Sequence, residues 1–283
     1  MLNQNDLVLT GASLGTDNFE VILEAASAGG FAGLSLRLDT YFEAKDRGLS
    51  IETMREMLAD KNLVVNDLDA IVFCMQGGDG APWQARCNEE LVLETAQALE
   101  VKQANTVFIG NGEATTQSEL EYFAETFAAV AKKMLAADIC PYIEFVPSVS
   151  PIKNVNDVSK ILQYAGIDQA GYLLDSWHCH VGSTTEQDLL ALPGERILAV
   201  QLSDIPAKPP EELIKVGLHE RVAPGLGGLD LIGFIRRLDK LGSTAPLAVE
   251  VFSDQLLQEY EPIALACYFG DSMRELIRVA RQI

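Results

Sequence analysis

The sequence predicts a (β/α)8 barrel, in which eight parallel strands, each followed by a helix, close into one cylinder. Three observations predict it. Short apolar runs alternate with longer segments of helical period along the 283 residues, the βαβα pattern of a parallel sheet. The runs number eight, about 35 residues per βα unit, an ordinary barrel step. The segment Leu9–Gly15 has two glycines but not the spacing G-x-G-x-x-G, and no G-x-x-x-x-G-K-[ST] occurs. A rival open, doubly wound sheet therefore lacks its phosphate loop.

The elements follow in order. The first strand, Leu7–Leu14, leads to a helix over Asn18–Ala28, where Phe19, Ile22, Leu23 and Ala26 share one face. Gly33–Leu38 is the second strand. Its helix, Ser50–Asp60, opens on a Ser cap and carries Glu52 in the first turn, where a negative charge suits the helix dipole. Val64–Phe73 and Thr106–Gly110 are the third and fourth strands, and the long amphipathic helix Glu119–Ala137 follows them. Tyr142–Phe145 precedes Val155–Tyr164, and Tyr172–Asp175 precedes Glu186–Leu192. Ile197–Leu202 precedes Leu229–Leu241, and Leu247–Val251 precedes Glu261–Arg281. No linker, repeat or low-complexity segment divides the chain, so residues 1–283 read as a single barrel domain.

Composition narrows the function classes. Hydrophobic residues make up 48% and charged residues 22%, enough apolar material for one large core. The formal net charge is −20 and the pI about 4.4. Such a surface repels phosphate backbones and anionic head groups, so neither nucleic acid nor membrane is an expected partner. No apolar run approaches the ~18 residues of a transmembrane helix. Met1–Leu14 lacks a basic n-region and a long apolar run, so no secretory signal is read. Five cysteines (Cys74, Cys87, Cys140, Cys179, Cys267) lack metal-type spacing and read as reduced thiols, most of them small buried hydrophobes. A cytoplasmic location is expected on these grounds.

Four strands break the apolar rule of a buried parallel sheet near their C-terminal ends, the end that carries barrel active sites. The fifth places Glu144 in Pro141–Phe145, the sixth ends on Asp175, the seventh places Gln201 before Leu202, and the eighth places Glu250 in Leu247–Phe252. Any one of them alone reads as well as a salt bridge or cap. Four at equivalent places point to a shared divalent cation, because buried unpaired carboxylates cost several kcal/mol each. Three carboxylates and one amide oxygen are hard donors that favour Mg2+ or Mn2+, with Co2+ acceptable. The absence of a thiolate cluster argues against structural zinc.

Two of the three histidines lie in Asp175-Ser176-Trp177-His178-Cys179-His180. His178, three residues past Asp175 and read in the loop after strand six, is a candidate for substrate contact or acid–base work. It also reads as a packing histidine, and less readily as a metal ligand. Arg221, in the Gly-rich stretch His219–Asp230, is a candidate for holding a substrate carboxylate or another anion, or it belongs to a plain surface loop. Arg37, near the end of strand two, is a second candidate cation for the mouth, or else pairs within the barrel with Glu144 or Asp39. Trp83, in a Gly-rich loop after strand three, reads either as part of a lid or as surface packing.

At these residues the sequence resembles the sugar phosphate isomerase/epimerase group of the xylose isomerase-like TIM barrels. The likeness covers nearly the whole chain and is strongest from about Cys140 onward. It lies in Glu144-Phe145-Val146-Pro147, in Gly171–Asp175 with Ser176-Trp177-His178, in Val200-Gln201-Leu202-Ser203-Asp204, in Arg221 with Pro224–Gly227, and in Val249–Phe252. The resemblance implies one Mn2+-, Mg2+- or Co2+-type ion bound by Glu144, Asp175, Gln201 and Glu250, with Zn2+ less favoured. It implies substrate contact by His178 and Arg221, and a homodimer or homotetramer. Ketose 3-epimerases of this group usually carry His where Gln201 stands, whereas the 3-dehydroshikimate dehydratases are similar in having Gln there.

The expected activity is isomerisation or epimerisation of a sugar, keto-polyol or sugar phosphate through a metal-stabilised enediolate, with Glu144 and Glu250 as proton-transfer groups. A lyase of the dehydroshikimate or keto-inositol type, acting on a hydroxylated acid or keto-polyol with His178 as proton carrier, is the alternative. An endonuclease IV-like activity, with several zinc ions and many histidines, does not suit three histidines and a charge of −20. A catalytically dead scaffold would predict no metal and a function that survives Glu250→Gln.

Overall fold

The computed structural model describes residues 2–74, 89–110, 116–182, 184–206 and 213–282. Among them, eight parallel strands close in sequence order. The strands are β1 (Leu7–Thr10), β2 (Gly33–Arg37), β3 (Val64–Cys74), β4 (Gln103–Ile109), β5 (Cys140–Glu144), β6 (Gly171–Asp175), β7 (Ile197–Leu202) and β8 (Leu247–Val249). Closure is made by β8 against β1, with Leu7 opposite Leu247 and Leu9 opposite Val249.

The helices are α1 (Phe19–Gly29), α2 (Leu38–Asp46), α3 (Ile51–Asp60), α4 (Glu89–Leu99), α5 (Gln117–Ala136), α6 (Val155–Ala165), α7 (Ser176–Val181), α8 (Glu186–Leu190), α9 (Leu213–His219), α10 (Leu231–Leu241), α11 (Asp254–Glu259) and α12 (Pro262–Arg281). Local chemistry sets their starts. Asn18 accepts from the Val21 N–H, Ser50 from that of Thr53, and Thr116 with Glu119 forms a capping box. None of the helices is long and apolar enough to cross a membrane among the described residues.

The main core lies between the strands and the helical ring, where Phe19, Ile22 and Leu23 are buried with Phe269 and Met273. Helices α1 and α12 approach closely because Gly29 and Gly270 meet there. A Cβ on Gly270 would collide with the Gly29 carbonyl oxygen.

The barrel interior is stacked in layers by the two-residue period of the strands. Tyr142, Leu173 and Ala199 form one buried apolar cluster. Two residues further along the same strands stand Glu144, Asp175 and Gln201, all buried. Glu250 follows Ala248 in the same way, one residue past the β8 ladder, and its N–H still donates to the Leu202 carbonyl at 3.0 Å. Asp175 and Gln201 are register partners across β6 and β7.

Several expected boundaries differ. The first strand stops at Thr10, and Gly11–Leu14 forms a 3-10 turn that ends on Gly15 in the left-handed region. The fourth strand begins at Gln103 rather than Thr106, because Gln103 and Ala104 pair with Cys140 and Pro141. Helix α10 starts at Leu231, with Asp230 as its cap. Helices α2, α4, α7, α9 and α11 were not expected. Three are seven residues or fewer, and α2 follows β2 directly, without the Gly or Pro punctuation that marks a turn. Trp83 and Cys87 lie outside the described residues.

Candidate active site and metal centre

The strand C-termini open on a cavity of about 520 Å³. Arg37, Asp69, Glu144, His178, Arg221 and Glu250 line it, together with an apolar wall that includes Val107, Trp177, Leu218 and Phe252.

Each of the three carboxylates at the base is tethered by one oxygen. Glu144 Oε2 accepts from Asn105 Nδ2 at 2.6 Å. Asp175 Oδ1 accepts from the Trp177 N–H at 2.6 Å, which makes Asp175 the N-cap of α7 as well as a strand-end acid. Glu250 Oε1 accepts from Gln201 Nε2 at 2.9 Å. The other oxygens are linked through two cationic or neutral partners. His178 Nε2 lies 3.5 Å from both Glu144 Oε1 and Asp175 Oδ2. Arg221 Nη1 lies 2.9 Å from Asp175 Oδ2 and 3.4 Å from Glu250 Oε2.

This geometry fits a divalent cation. One ligand atom each from Glu144, Asp175 and His178 lies within 4.8 Å of the others. Gln201 Oε1 is buried and has no hydrogen-bond partner among the described residues, although a buried amide oxygen ordinarily finds one. The donor set, carboxylates with an amide oxygen and an imidazole, suits a borderline or hard dication.

The electrostatics show the strain that such a charge relieves. Burial pushes the Glu144 carboxyl well above the usual range, and the neighbouring Asp69 and Asp175 add to the effect. Glu250 is likewise pushed well up, chiefly by burial, with Arg221 partly countering it. For Asp175, burial is outweighed by Arg221, His178 and the Trp177 N–H, and its carboxyl is held below the ordinary value. Burial draws His178 down to about 4, against the opposing pull of Asp175, so its imidazole is neutral near pH 7.

The sequence candidates separate into two groups. Glu144, Asp175, His178, Arg221 and Glu250 come together. Gln201 is beside them through Glu250. His178 is not in a loop: it lies on α7, one turn past Asp175 and on the same face. Arg221 is buried at 2% exposure rather than on a surface loop, and its guanidinium stacks over Trp177 and Phe252. Arg37 lines the cavity but pairs with Asp17 at 2.7 Å, not with Glu144 or Asp39, and its Nε is buried without a partner among the described residues.

Three contributors were missed. Asp69 stands on β3 facing the cavity, and Asn105 on β4 donates to both Asp69 Oδ1 (2.9 Å) and Glu144. Their signal was weak: Asp67 and Asp69 recur with a period of two, but in a strand of mixed character, and Asn105 precedes an apolar run. Asp204 accepts the N–H groups of Ile205, Gly225, Gly227 and Leu229 at 2.8–3.1 Å and so shapes the loop after Arg221. A Cβ on Gly227 would collide with the Ile205 carbonyl and the Asp204 carboxylate.

Comparison with known proteins gives a consistent picture. The profile of the family described as xylose isomerase-like TIM barrel matches residues 22–280. A 3-dehydroshikimate dehydratase of Pseudomonas aeruginosa is 38% identical over 89 residues, 31% of this chain and 14% of that protein. An inosose isomerase of Bacillus licheniformis is 26% identical over 205 residues, 68% of this chain and 64% of that protein. The matched stretch is therefore a small part of the dehydratase and just under two thirds of the isomerase. A crystal structure of the IolI protein with a bound zinc atom has the same fold, with a TM-score of 0.85 at 18% identity, covering 97% of this chain and 99% of that one.

Proposed function

The chain belongs to the xylose isomerase-like TIM barrel family, and from that premise we propose that its barrel, residues 1–283, is a divalent-metal-dependent isomerase or epimerase of a keto-polyol, sugar or sugar phosphate. One observation carries this reading. Glu144 and Glu250 are buried carboxylates on the non-adjacent strand ends of β5 and β8, both lining one cavity and each with one oxygen tied to a protein amide. A pair of bases that reaches a planar carbon from two sides is what inversion or migration of a proton requires.

Glu144, Asp175, Gln201 and Glu250 would hold the ion, with the His178 imidazole alongside them. Such an ion supplies Lewis-acid polarisation of a substrate carbonyl and the positive charge that lets these acids coexist ionised. Mn2+, Mg2+ and Co2+ suit the oxygen donors. The nearby imidazole admits Zn2+ too, the metal found in the IolI structure.

The chain's own residues do the proton work. The free Glu144 Oε1 accepts the proton from the carbon next to the substrate carbonyl, and Glu250 returns one from the other side. His178, neutral near pH 7, moves a proton at Nε2 between substrate oxygens. Arg221 and Arg37 hold an anionic or hydroxyl oxygen of the substrate. Trp177, Leu218 and Phe252 exclude water from the reacting carbon.

A second reading, a lyase, is favoured by Gln201 on β7 and by the 38% identity to a 3-dehydroshikimate dehydratase. Here the same proton removal is followed by loss of a β-hydroxyl as water. Incubation of Mn2+-loaded protein in D2O with an inosose and with 3-dehydroshikimate decides between them. Deuterium uptake at carbon without elimination is expected. A new ultraviolet absorbance from 3-dehydroshikimate would favour the lyase instead, and inertness towards a panel of keto-polyols and hydroxylated acids would remove both.

A further inference from the structure

We propose that Arg221 is a built-in counter-cation of the metal centre: in the metal-free protein it holds the carboxylate oxygens that a divalent ion needs, and it must give them up for the ion to load. The inference rests on the metal-dependent reading above and adds an order of events to it. The ion binds first. The displaced guanidinium, already at the cavity wall, then becomes available to an anionic group of the substrate.

The argument starts from what each carboxylate has left. Asp175 Oδ1 is committed to the Trp177 N–H, so Oδ2 is its free oxygen, and Arg221 Nη1 sits on it at 2.9 Å. Glu250 Oε1 is committed to Gln201, so Oε2 is free, and the same Nη1 faces it at 3.4 Å. That one nitrogen also faces Ser203 Oγ at 3.3 Å and the Glu250 carbonyl at 3.5 Å. Two protons cannot serve four acceptors, and only the Asp175 contact has ordinary hydrogen-bond length.

The same guanidinium has contacts on its other sides. Nε donates to the Gly217 carbonyl at 2.8 Å, and the guanidinium carbon lies 5.9 and 5.1 Å from the Trp177 and Phe252 ring centroids. Nε, Cζ and Nη1 share one rigid plane, so for Nη1 to leave the acids that it satisfies incompletely, the Gly217 bond must break and the guanidinium must slide across both aromatic faces. A dication carries twice the charge and accepts several oxygens at once, so it competes directly for Asp175 Oδ2 and Glu250 Oε2. A guanidinium that stayed in place would instead repel the ion.

Zinc titration of chelator-stripped protein by calorimetry tests this on wild type, Arg221→Lys and Arg221→Gln. Arg221→Gln is expected to bind one Zn2+ per chain at least ~10-fold more tightly than wild type, because a competitor has been removed. Arg221→Lys, which keeps the charge but not the fork, is expected to fall between the two. In a Trp83→Phe background the fluorescence of Trp177 reports the guanidinium above it. Its emission is expected to change on Zn2+ or Mg2+ addition with the same affinity that calorimetry gives. This readout serves if Arg221→Gln does not fold. Equal or weaker affinity in the Arg221 variants, or Trp177 emission that ignores saturating ion, overturns the proposal while leaving the metal centre intact. Wild type that takes up no divalent ion at all overturns the metal-dependent reading itself.

Discussion

Asn105 Nδ2 donates to Glu144 Oε2 at 2.6 Å and to Asp69 Oδ1 at 2.9 Å, so one amide holds two acids apart and fixes which oxygen of Glu144 faces His178. Outer partners of this kind orient a reacting group without touching substrate. Asn105→Ala is expected to lower kcat about 10- to 100-fold with little change in KM, the range typical for such partners. Steady-state kinetics on the substrate that emerges from screening checks it. An unchanged kcat would mean that Glu144 orients itself.

Glu250 is buried, and burial together with the nearby acids Glu144, Asp175 and Asp69 pushes its carboxyl well up, so its charge opposes folding when no cation is bound. Glu250→Gln is expected to raise the Tm of chelator-treated protein by about 2–4 °C, the shift that 1 kcal/mol gives in a large domain. It is also expected to abolish the Tm increase that divalent metal gives wild type. Differential scanning calorimetry with and without Mn2+ distinguishes these effects. A variant that keeps the metal-induced increase would remove Glu250 from the ligand set.

Asp67, on β3, accepts hydrogen bonds from Ser35, Asn66 and Tyr142, yet burial pushes its carboxyl up to about 6. The folded state thus binds this proton more tightly than the unfolded chain, whose value is 3.8. Its stabilising contribution is complete below about pH 3.8 and is lost as pH rises through about 6, a change of roughly 3 kcal/mol. Asp67→Asn removes the titration, so the variant is expected to gain on wild type between pH 4 and pH 7. Urea midpoints across that range give the comparison. Parallel pH profiles would show that Asp67 is ionised in the fold.

Asp204 collects four backbone N–H groups, three of them from the loop that follows Arg221. Asp204→Ala leaves these donors without their acceptor and is expected to cost about 2–4 kcal/mol of stability. Because the loop and Arg221 share the Val222–Asp204 bridge, KM is expected to rise more than kcat falls. Chemical denaturation paired with kinetics checks both. A stable variant with native KM would mean that the loop is held by its glycines alone.

The barrel was legible in the sequence because eight apolar runs with helical segments between them admit few other closures. The layer of polar strand ends was legible for a sharper reason. Glu144, Asp175, Gln201 and Glu250 interrupt strands that are otherwise apolar, and the two-residue period aims each of them inward. The reading stopped where that contrast fades. Asp67 and Asp69 sit in a strand whose start, Val64-Val65-Asn66, is already mixed in character, and Asn105 fell just outside a strand whose start was drawn three residues too late. Arg221 could be named from its neighbours in sequence, but its place among the acids depends on α9 folding back over the mouth, which no local pattern encodes. The short helices α7 and α11 were missed because six residues carry too little periodicity to register.

Asp175 closes strand β6 and starts α7 with the same side chain, and α7 carries His178. The nucleation of that helix and the assembly of the reactive cluster are therefore a single folding event. A chain cut or permuted between Asp175 and Ser176 would lose a helix start and the link between Asp175 and His178 together. Any variant that replaces this acid must supply a new acceptor for the Trp177 N–H, or the imidazole will drift from its post.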